Sequence, residues 1–293
     1  MFNNIHALID SFEQQKYIAD EELGTILFLM LQLGKPVLLE GNPGVGKTEV
    51  ANVLSNVLDT ELIRLQCYEG LDVHSTIYEW NYQKQLLSIK IQEQSEKSDE
   101  EKEEHIFGSE FLLKRPLLKA ITASEKPPVL LIDEIDRADE EFEAFLLELL
   151  SAFQISIPEM GTVQASYRPW VILTSNRTRE LGDALKRRCL YHWVNFPSLE
   201  KEMEIIQKHL PDMEVSLVSR MVKLVQYLRT QKLDKAPGIA ESLDWAKGLL
   251  ALGFADLDEA GIEKSLGCLL KSADDIRRVK TTGIQQLLTE IEA

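Results

Sequence analysis

Leu38 to Asn52 reads LLEGNPGVGKTEVAN. An apolar run (Pro36 to Glu40) stops at Gly41, passes through Asn-Pro-Gly-Val-Gly and reaches Lys47-Thr48. The run is short, apolar and bounded by a glycine, so it predicts a buried strand. TEVANVLSNVL behind it has helical spacing. The loop between them spells G-x-x-x-x-G-K-[ST] from Gly41 to Thr48. Glycines let a backbone curl so that its N–H groups face phosphate oxygens, and the helix behind adds its positive end. Lys47 can then reach the β- and γ-phosphates, and the Thr48 hydroxyl can ligate Mg2+. Asn42, Pro43, Gly44, Val45, Gly46 and Glu49 complete the residues expected to line ATP or ADP. The competing reading is a glycine-rich strand–helix turn and nothing more.

Outward from this loop, buried strands are predicted at ELIRLQC, PPVLLID, WVILTSN and YHWVNF, with helices between several of them. Residues 20–33 and 140–153 have helical spacing. Strands alternating with helices predict a parallel sheet covered on both faces, an α/β fold. Residues 154–168 read as a hairpin around Met160-Gly161. Residues 92–104 (QEQSEKSDEEKEE) are charged and aperiodic, and read as a solvated loop or mobile insertion. After Pro197 only helical spacing remains, at 198–210, 214–231, 239–252 and 256–272. The expected division is a nucleotide-binding core over 1–197, with an insert at about 76–110, and an all-helical domain over 198–293.

Lysine and arginine number 32 against 48 aspartates and glutamates, a net charge of −16. Such a chain is poorly suited to sequence-independent DNA binding, which needs cations to neutralise phosphates. Cys67, Cys189 and Cys268 form no CxxC pair, which fits a reducing cytoplasm. The first residues, MFNNIHALIDSFEQQ, lack the basic region of a signal peptide. No apolar run approaches the ~18 residues of a membrane span. The five histidines have no metal-ligand spacing. Tyr68, Tyr78, Trp80 and Tyr82 are expected to pack near the insert rather than to stack on bases.

A phosphate cradle needs a metal ligand and a group that prepares water. VLLIDEID supplies both at the end of a buried run. Asp133 can share the Mg2+ shell with Thr48, and Glu134 can polarise water. An acidic helix N-cap is the alternative. WVILTSN ends in Asn176, whose amide can orient the water or contact the γ-phosphate; a plain turn is the alternative. ALKRRC places Arg187 and Arg188 a dozen residues later. Either could reach a neighbouring subunit's γ-phosphate as an arginine finger, or both could be solvated.

The order strand–glycine loop, strand–DE, hairpin, strand–TSN, then RR and helices resembles the AAA+ ATPases. The hairpin and the segment after QCYEGLDVHSTIYEW resemble their helix-2-insert branch. LQCYEGLD, YEWNYQKQLL, FLLKRPLL, LLIDEIDRADEEFEAFLLELL, LTSNRTREL and ALKRRCLYHW look like the MoxR family, closest to members associated with carbon monoxide dehydrogenase accessory genes. The resemblance implies a five-stranded parallel sheet of order 5-1-4-3-2 and a small helical lid. It implies rings, commonly hexamers, with ATP between subunits, a von Willebrand factor A domain partner, and chaperone-like remodelling of a client such as a metalloenzyme. By motif, Gly41 to Thr48 are the Walker A loop, Asp133 and Glu134 the Walker B pair, and Asn176 the sensor 1 residue. Arg188 is favoured over Arg187 as the finger. Tyr17 and Ile18, in YIAD, fall where the family packs on adenine. One departure concerns sensor 2: APGIAESLDWA has no arginine where many members carry one.

An ATP-hydrolysing remodeller is therefore the first expectation. A nucleic-acid motor on the same core, a small-molecule P-loop kinase and a non-hydrolysing nucleotide-dependent scaffold are the alternatives. Net charge opposes the motor, and Glu134 beside the metal aspartate opposes the kinase.

Overall fold

The computed structural model describes residues 2–92, 98, 105–157 and 161–292. Five strands form one sheet: β1 (Val37–Gly41), β2 (Leu62–Gln66), β5 (Val129–Asp133), β8 (Trp170–Ser175) and β9 (Leu190–Val194). Their spatial order is β2-β5-β8-β1-β9. Counted along the chain over these five and read from the β9 edge, that is 5-1-4-3-2, the expected order. Every residue of β1 and β5 is buried, as the unbroken apolar runs require of strands covered on both faces. Edge strand β2 instead alternates, with Arg64 and Gln66 exposed and Ile63 and Leu65 buried.

The remaining strands form two small antiparallel sheets. β3 (Tyr78–Trp80) pairs with β4 (Leu112–Lys114), and β6 (Gln154–Ile157) with β7 (Gly161–Gln164). The second is the expected hairpin, with Ile155 opposite Val163; residues 158–160 of its turn lie outside the described residues. So does nearly all of the acidic tract 92–104.

The β3–β4 pair was not foreseen. Between its strands, helix Tyr82–Gln92 buries Gln85, whose Nε2 donates to Ile106 O at 3.0 Å. Its apolar residues Leu86, Leu87 and Ile91 are at least 60% exposed. Packing of the four aromatics holds for two of them: Tyr78 and Trp80 meet edge to face at 5.9 Å, and Trp80 meets Phe107 at 5.5 Å. Tyr68 and Tyr82 are exposed, Tyr82 because this helix turns polar side chains inward.

The chain divides into two compact units. The first comprises Met1–Ile5, Glu21–Glu40 and Ala51–His192; the second comprises His6–Asp20, Gly41–Val50 and Trp193–Ala293. The first has its core between sheet and helices, including Leu38, Leu130, Ile132, Phe142, Leu146 and Leu173. Helix Glu140–Ala152 begins where Asp139 accepts the Phe142 N–H at 2.9 Å and ends at Phe153 in the left-handed region (φ 50°).

The second unit packs its helices around Leu217, Met221, Val222, Trp245, Leu249 and Ile262. Among its described residues from 198 onward all regular structure is helical. Helix Ile5–Gln14 closes through Lys16 (φ 64°), which returns the Tyr17 N–H to Phe12 O at 3.0 Å. Among the described residues no helix is long and apolar enough to cross a membrane.

Glu202 and Arg229 form a buried pair in this unit, with side chains 0% and 6% exposed. The guanidinium forks onto both carboxylate oxygens, at 2.6 and 2.8 Å. Arg229→Ala would leave the Glu202 charge buried without its partner. Breaking such a pair costs about 3–5 kcal/mol, whereas replacing both partners by well-packed apolar residues costs far less. Chemical denaturation of the full chain, followed by circular dichroism, should show that loss for Arg229→Ala and a much smaller one for Arg229→Met with Glu202→Leu. A single-variant loss below about 1 kcal/mol, the range of exposed pairs, would contradict the role given to burial.

Candidate functional site

The glycine loop belongs to the second unit. Lys47 is buried, and its Nζ donates to Gly41 O at 2.7 Å and Asn42 O at 2.8 Å. The loop carbonyls thus answer an ammonium that would otherwise be costly to bury. Gly44 (φ 78°) and Gly46 (φ 94°) both lie in the left-handed region, where only glycine sits without strain. Gly41 is needed for space: a Cβ there would lie 2.3 Å from Val194 O. Val45 is buried, Asn42 and Pro43 are exposed, and Thr48 and Glu49 lie in the first turn of helix Lys47–Val57. The curled loop, its lysine and the helix start match an anion cradle in chemistry.

Tyr17 is brought to this loop. A Cβ on Gly46 would lie 3.9 Å from its ring. The ring also meets Phe12 edge to face at 5.8 Å. Burial raises the phenol's pKa, and the carboxylates of Asp20 and Glu49 add to the rise, so the hydroxyl stays neutral. Ile18 is partly buried beside it in sequence.

The acidic residues belong to the first unit. Parallel register sets Gln66 opposite Asp133, Ile132 opposite Leu173, and Glu40 opposite Ser175. The carboxyl ends of β2, β5, β8 and β1 therefore gather polar groups on one edge of the sheet, where ligands of open α/β sheets collect. Asp133 is buried; its Oδ1 accepts from Thr174 Oγ1 at 2.5 Å and its Oδ2 from Arg64 at 2.5 Å. Thr174 Oγ1 in turn accepts the Glu134 N–H at 2.9 Å.

Glu134 sits in the left-handed region (φ 55°, ψ 49°), a strained conformation for a residue with a Cβ. Its Oε1 accepts from Asn176 Nδ2 at 3.3 Å. Its Oε2 accepts from Gln66 Nε2 at 3.1 Å and pairs with Arg137 Nε at 2.9 Å. Asn176 is itself fixed, its N–H donating to Asp136 Oδ1 at 3.2 Å. Asp136 also receives the Thr178 N–H at 2.8 Å and the Thr178 hydroxyl at 2.7 Å. Burial, then Asp133, Asp136 and Glu134, push the Cys67 thiol up to about 12, so it is an inert neighbour at neutral pH.

Sequence reasoning joined Glu134 with Asn176 and missed Gln66, Arg64, Thr174 and Asp136. One signal was available: Arg64 and Gln66 alternate as polar residues on one face at the end of an otherwise apolar strand. Glu40 was also missed; it is buried at the end of β1 and accepts from Ser175 Oγ at 3.2 Å and Tyr191 OH at 3.1 Å. Arg187 and Arg188 end the six-residue helix Asp183–Arg188. Both are exposed, and neither guanidinium meets a described partner.

The sequence matches the family described as AAA domain (dynein-related subfamily) over residues 36–189, just over half of the chain. It is 28% identical over 229 residues to an uncharacterized protein of Staphylococcus epidermidis, covering 76% of this chain and 78% of that one. It is 24% identical over 298 residues to the gas vesicle ATPase GvpN of Haloferax mediterranei, covering 96% and 80%. In fold it is similar to the RuvB Holliday junction branch migration motor of Thermotoga maritima, with a TM-score of 0.50 at 16% identity over 97% of this chain and 82% of that one. A RuvB mutant chain gives a TM-score of 0.53 at 19% identity, covering 96% and 84%.

Proposed function

Because the chain belongs to the AAA domain family, in its dynein-related subfamily, we propose that it binds ATP at the glycine loop and hydrolyses it with Mg2+. The observation that carries this reading is the setting of Glu134. Its carboxylate is held by Asn176, Gln66 and Arg137, one residue beyond the buried Asp133. A base for water needs such a fixed aim. Asn176 and Gln66 orient it, and the strained backbone of Glu134 is the kind of cost that persists where function requires it.

Lys47 binds the β- and γ-phosphates, and the loop amides surround them. Thr48 and Asp133 are hard oxygen donors suited to Mg2+, which when bound neutralises charge on the phosphates. Asn42, Pro43, Val45 and Glu49 complete the loop, and Tyr17 and Ile18 line the base. Arg188 completes a neighbouring subunit's site, so activity requires a ring, with a hexamer the expected form. The core ends near residue 197 and the helical lid follows.

Within the family the reading is MoxR-like, in the cytoplasm, with a protein client and a von Willebrand factor A domain partner. A metalloenzyme, in the manner of the carbon monoxide dehydrogenase accessory ATPases, is the proposed client class. The relative named as a gas vesicle ATPase supports hydrolysis. The solvent-facing Leu86, Leu87 and Ile91 favour a protein partner, and the net charge of −16 disfavours nucleic acid.

The test is ATPase rate against protein concentration, with mass photometry on the same samples. Specific activity should rise steeply as rings form. Concentration-independent activity of a monomer would remove Arg188 from the site and favour a kinase or simple switch. Nucleotide binding with no hydrolysis at any ring concentration would favour the scaffold.

A further inference from the structure

The second unit makes a main-chain junction onto the glycine loop at the start of helix Ile239–Ala251. The Ile239 N–H donates to Gly44 O at 2.8 Å. Gly238, the residue before it, is stacked on Gly44 so closely that a Cβ on Gly238 would lie 2.7 Å from both Gly44 Cα and Gly44 O. Two groups hold the junction. Glu241 Oε2 accepts the Gly238 N–H at 2.9 Å, and Arg229 Nε donates to Pro237 O at 2.8 Å. Arg229 is in turn locked by its fork onto Glu202 and by the face of Phe196, 4.6 Å away. Glu202 also accepts from Ser242 Oγ at 2.7 Å, which ties the same helix start from its other side.

The consequence lies in the planarity of one peptide. Gly44 O and the Val45 N–H belong to the same rigid trans unit and point in opposite directions. With Gly44 O fixed toward Ile239, the Val45 N–H is fixed facing away from that helix. Any rotation of this peptide to meet an anion must turn Gly44 O with it, and so strain or strengthen the bond to Ile239. No arginine occurs from Ala236 to Leu243; the hydrogen bond itself is main chain to main chain, with the Glu241 carboxylate beside it, 3.1 Å from where a Cβ on Gly44 would lie.

We infer that the Gly238–Ile239 junction is a latch that sets the Val45 amide for phosphate binding and passes the state of the loop to helix Ile239–Ala251 of the same unit. Arg229, Glu202 and Glu241 are its positioning residues. The inference rests on the glycine loop binding a nucleotide.

Two variants test it. Gly238→Ala keeps an ordinary backbone conformation (φ −88°, ψ −174°), so its methyl acts through the contact with Gly44. Ile239→Pro removes the donor at the first helical position, where proline is well tolerated, and isolates the bond if the first variant folds poorly. The probes are a fluorescent ADP analogue, amide hydrogen exchange with and without ADP, and thermal melting.

In the wild type ADP should slow exchange over both 41–48 and 239–243. In the variants the Kd should rise about tenfold, the size of one lost net hydrogen bond. At saturating ADP the loop should still respond and the helix start should not. A folded variant with wild-type Kd and a wild-type response at 239–243 overturns the latch. A wild type that binds no ADP overturns the nucleotide reading itself, and with it the premise of the latch.

Discussion

Arg188→Ala is expected to bind ATP like the wild type and to hydrolyse it at least about 10³-fold more slowly in the assembled ring, at the low end of what an arginine finger supplies. That is about 4 kcal/mol of transition-state stabilisation. Arg188 ends a short helix whose N-terminal side is anchored by Leu185, while its own guanidinium is exposed and meets no described carboxylate. A fork that is not committed within its own subunit keeps its donors for a partner. Arg187 is equally exposed, so Arg187→Ala is the necessary control and should be much milder. A near-normal Arg188→Ala with a dead Arg187→Ala would transfer the role by one residue.

Mixing the Arg188→Ala chain with a Glu134→Gln chain makes the test sharper. Each inactive protein still has the group the other lacks. In a head-to-tail ring assembled at random from equal amounts, roughly a quarter of interfaces would combine an intact glutamate with an intact arginine. Activity should therefore reappear on mixing two inactive proteins. Arginine acting only within its own chain would leave the mixture inactive.

The sheet was legible because its central strands are unbroken apolar runs, and the glycine loop because residue type and spacing are both dictated by phosphate geometry. Asp133, Glu134 and Asn176 were legible as polar residues ending such runs. What escaped was set by register. Gln66 meets Glu134, and Thr174 meets Asp133, only because β2, β5 and β8 pair in parallel at one offset, which no local pattern states. The β3–β4 pair escaped because three-residue strands lack a readable period, and helix Tyr82–Gln92 because its polarity is reversed. The latch escaped for a different reason: only the fold shows that the missing side chain of Gly238 makes room for Gly44.

Glu134→Gln should retain ATP and lose hydrolysis by about 10²–10⁴-fold, the usual worth of a positioned general base. The substitution conserves volume and leaves the strained backbone in place, so any loss reports on chemistry more than on shape. It also redistributes hydrogen bonds. An amide oxygen can still accept from Asn176, but its NH2 then faces Gln66 Nε2 and Arg137 Nε, which are donors already. Turning the amide over moves the conflict to Asn176 and does not remove it. The ion pair lost with Arg137 is more than half exposed on the arginine side and is worth under about 1 kcal/mol, so the fold should hold. Loss of rate with unchanged melting and unchanged Kd for ATP therefore isolates the missing negative charge. Glu134→Asp would keep the charge and pull it back by one methylene, away from Asn176 and Gln66, so a partial loss between wild type and Glu134→Gln is expected. If Glu134→Gln turns over like the wild type, water is prepared elsewhere, and the fixed carboxylate beyond β5 is a structural brace for Asn176 and Gln66.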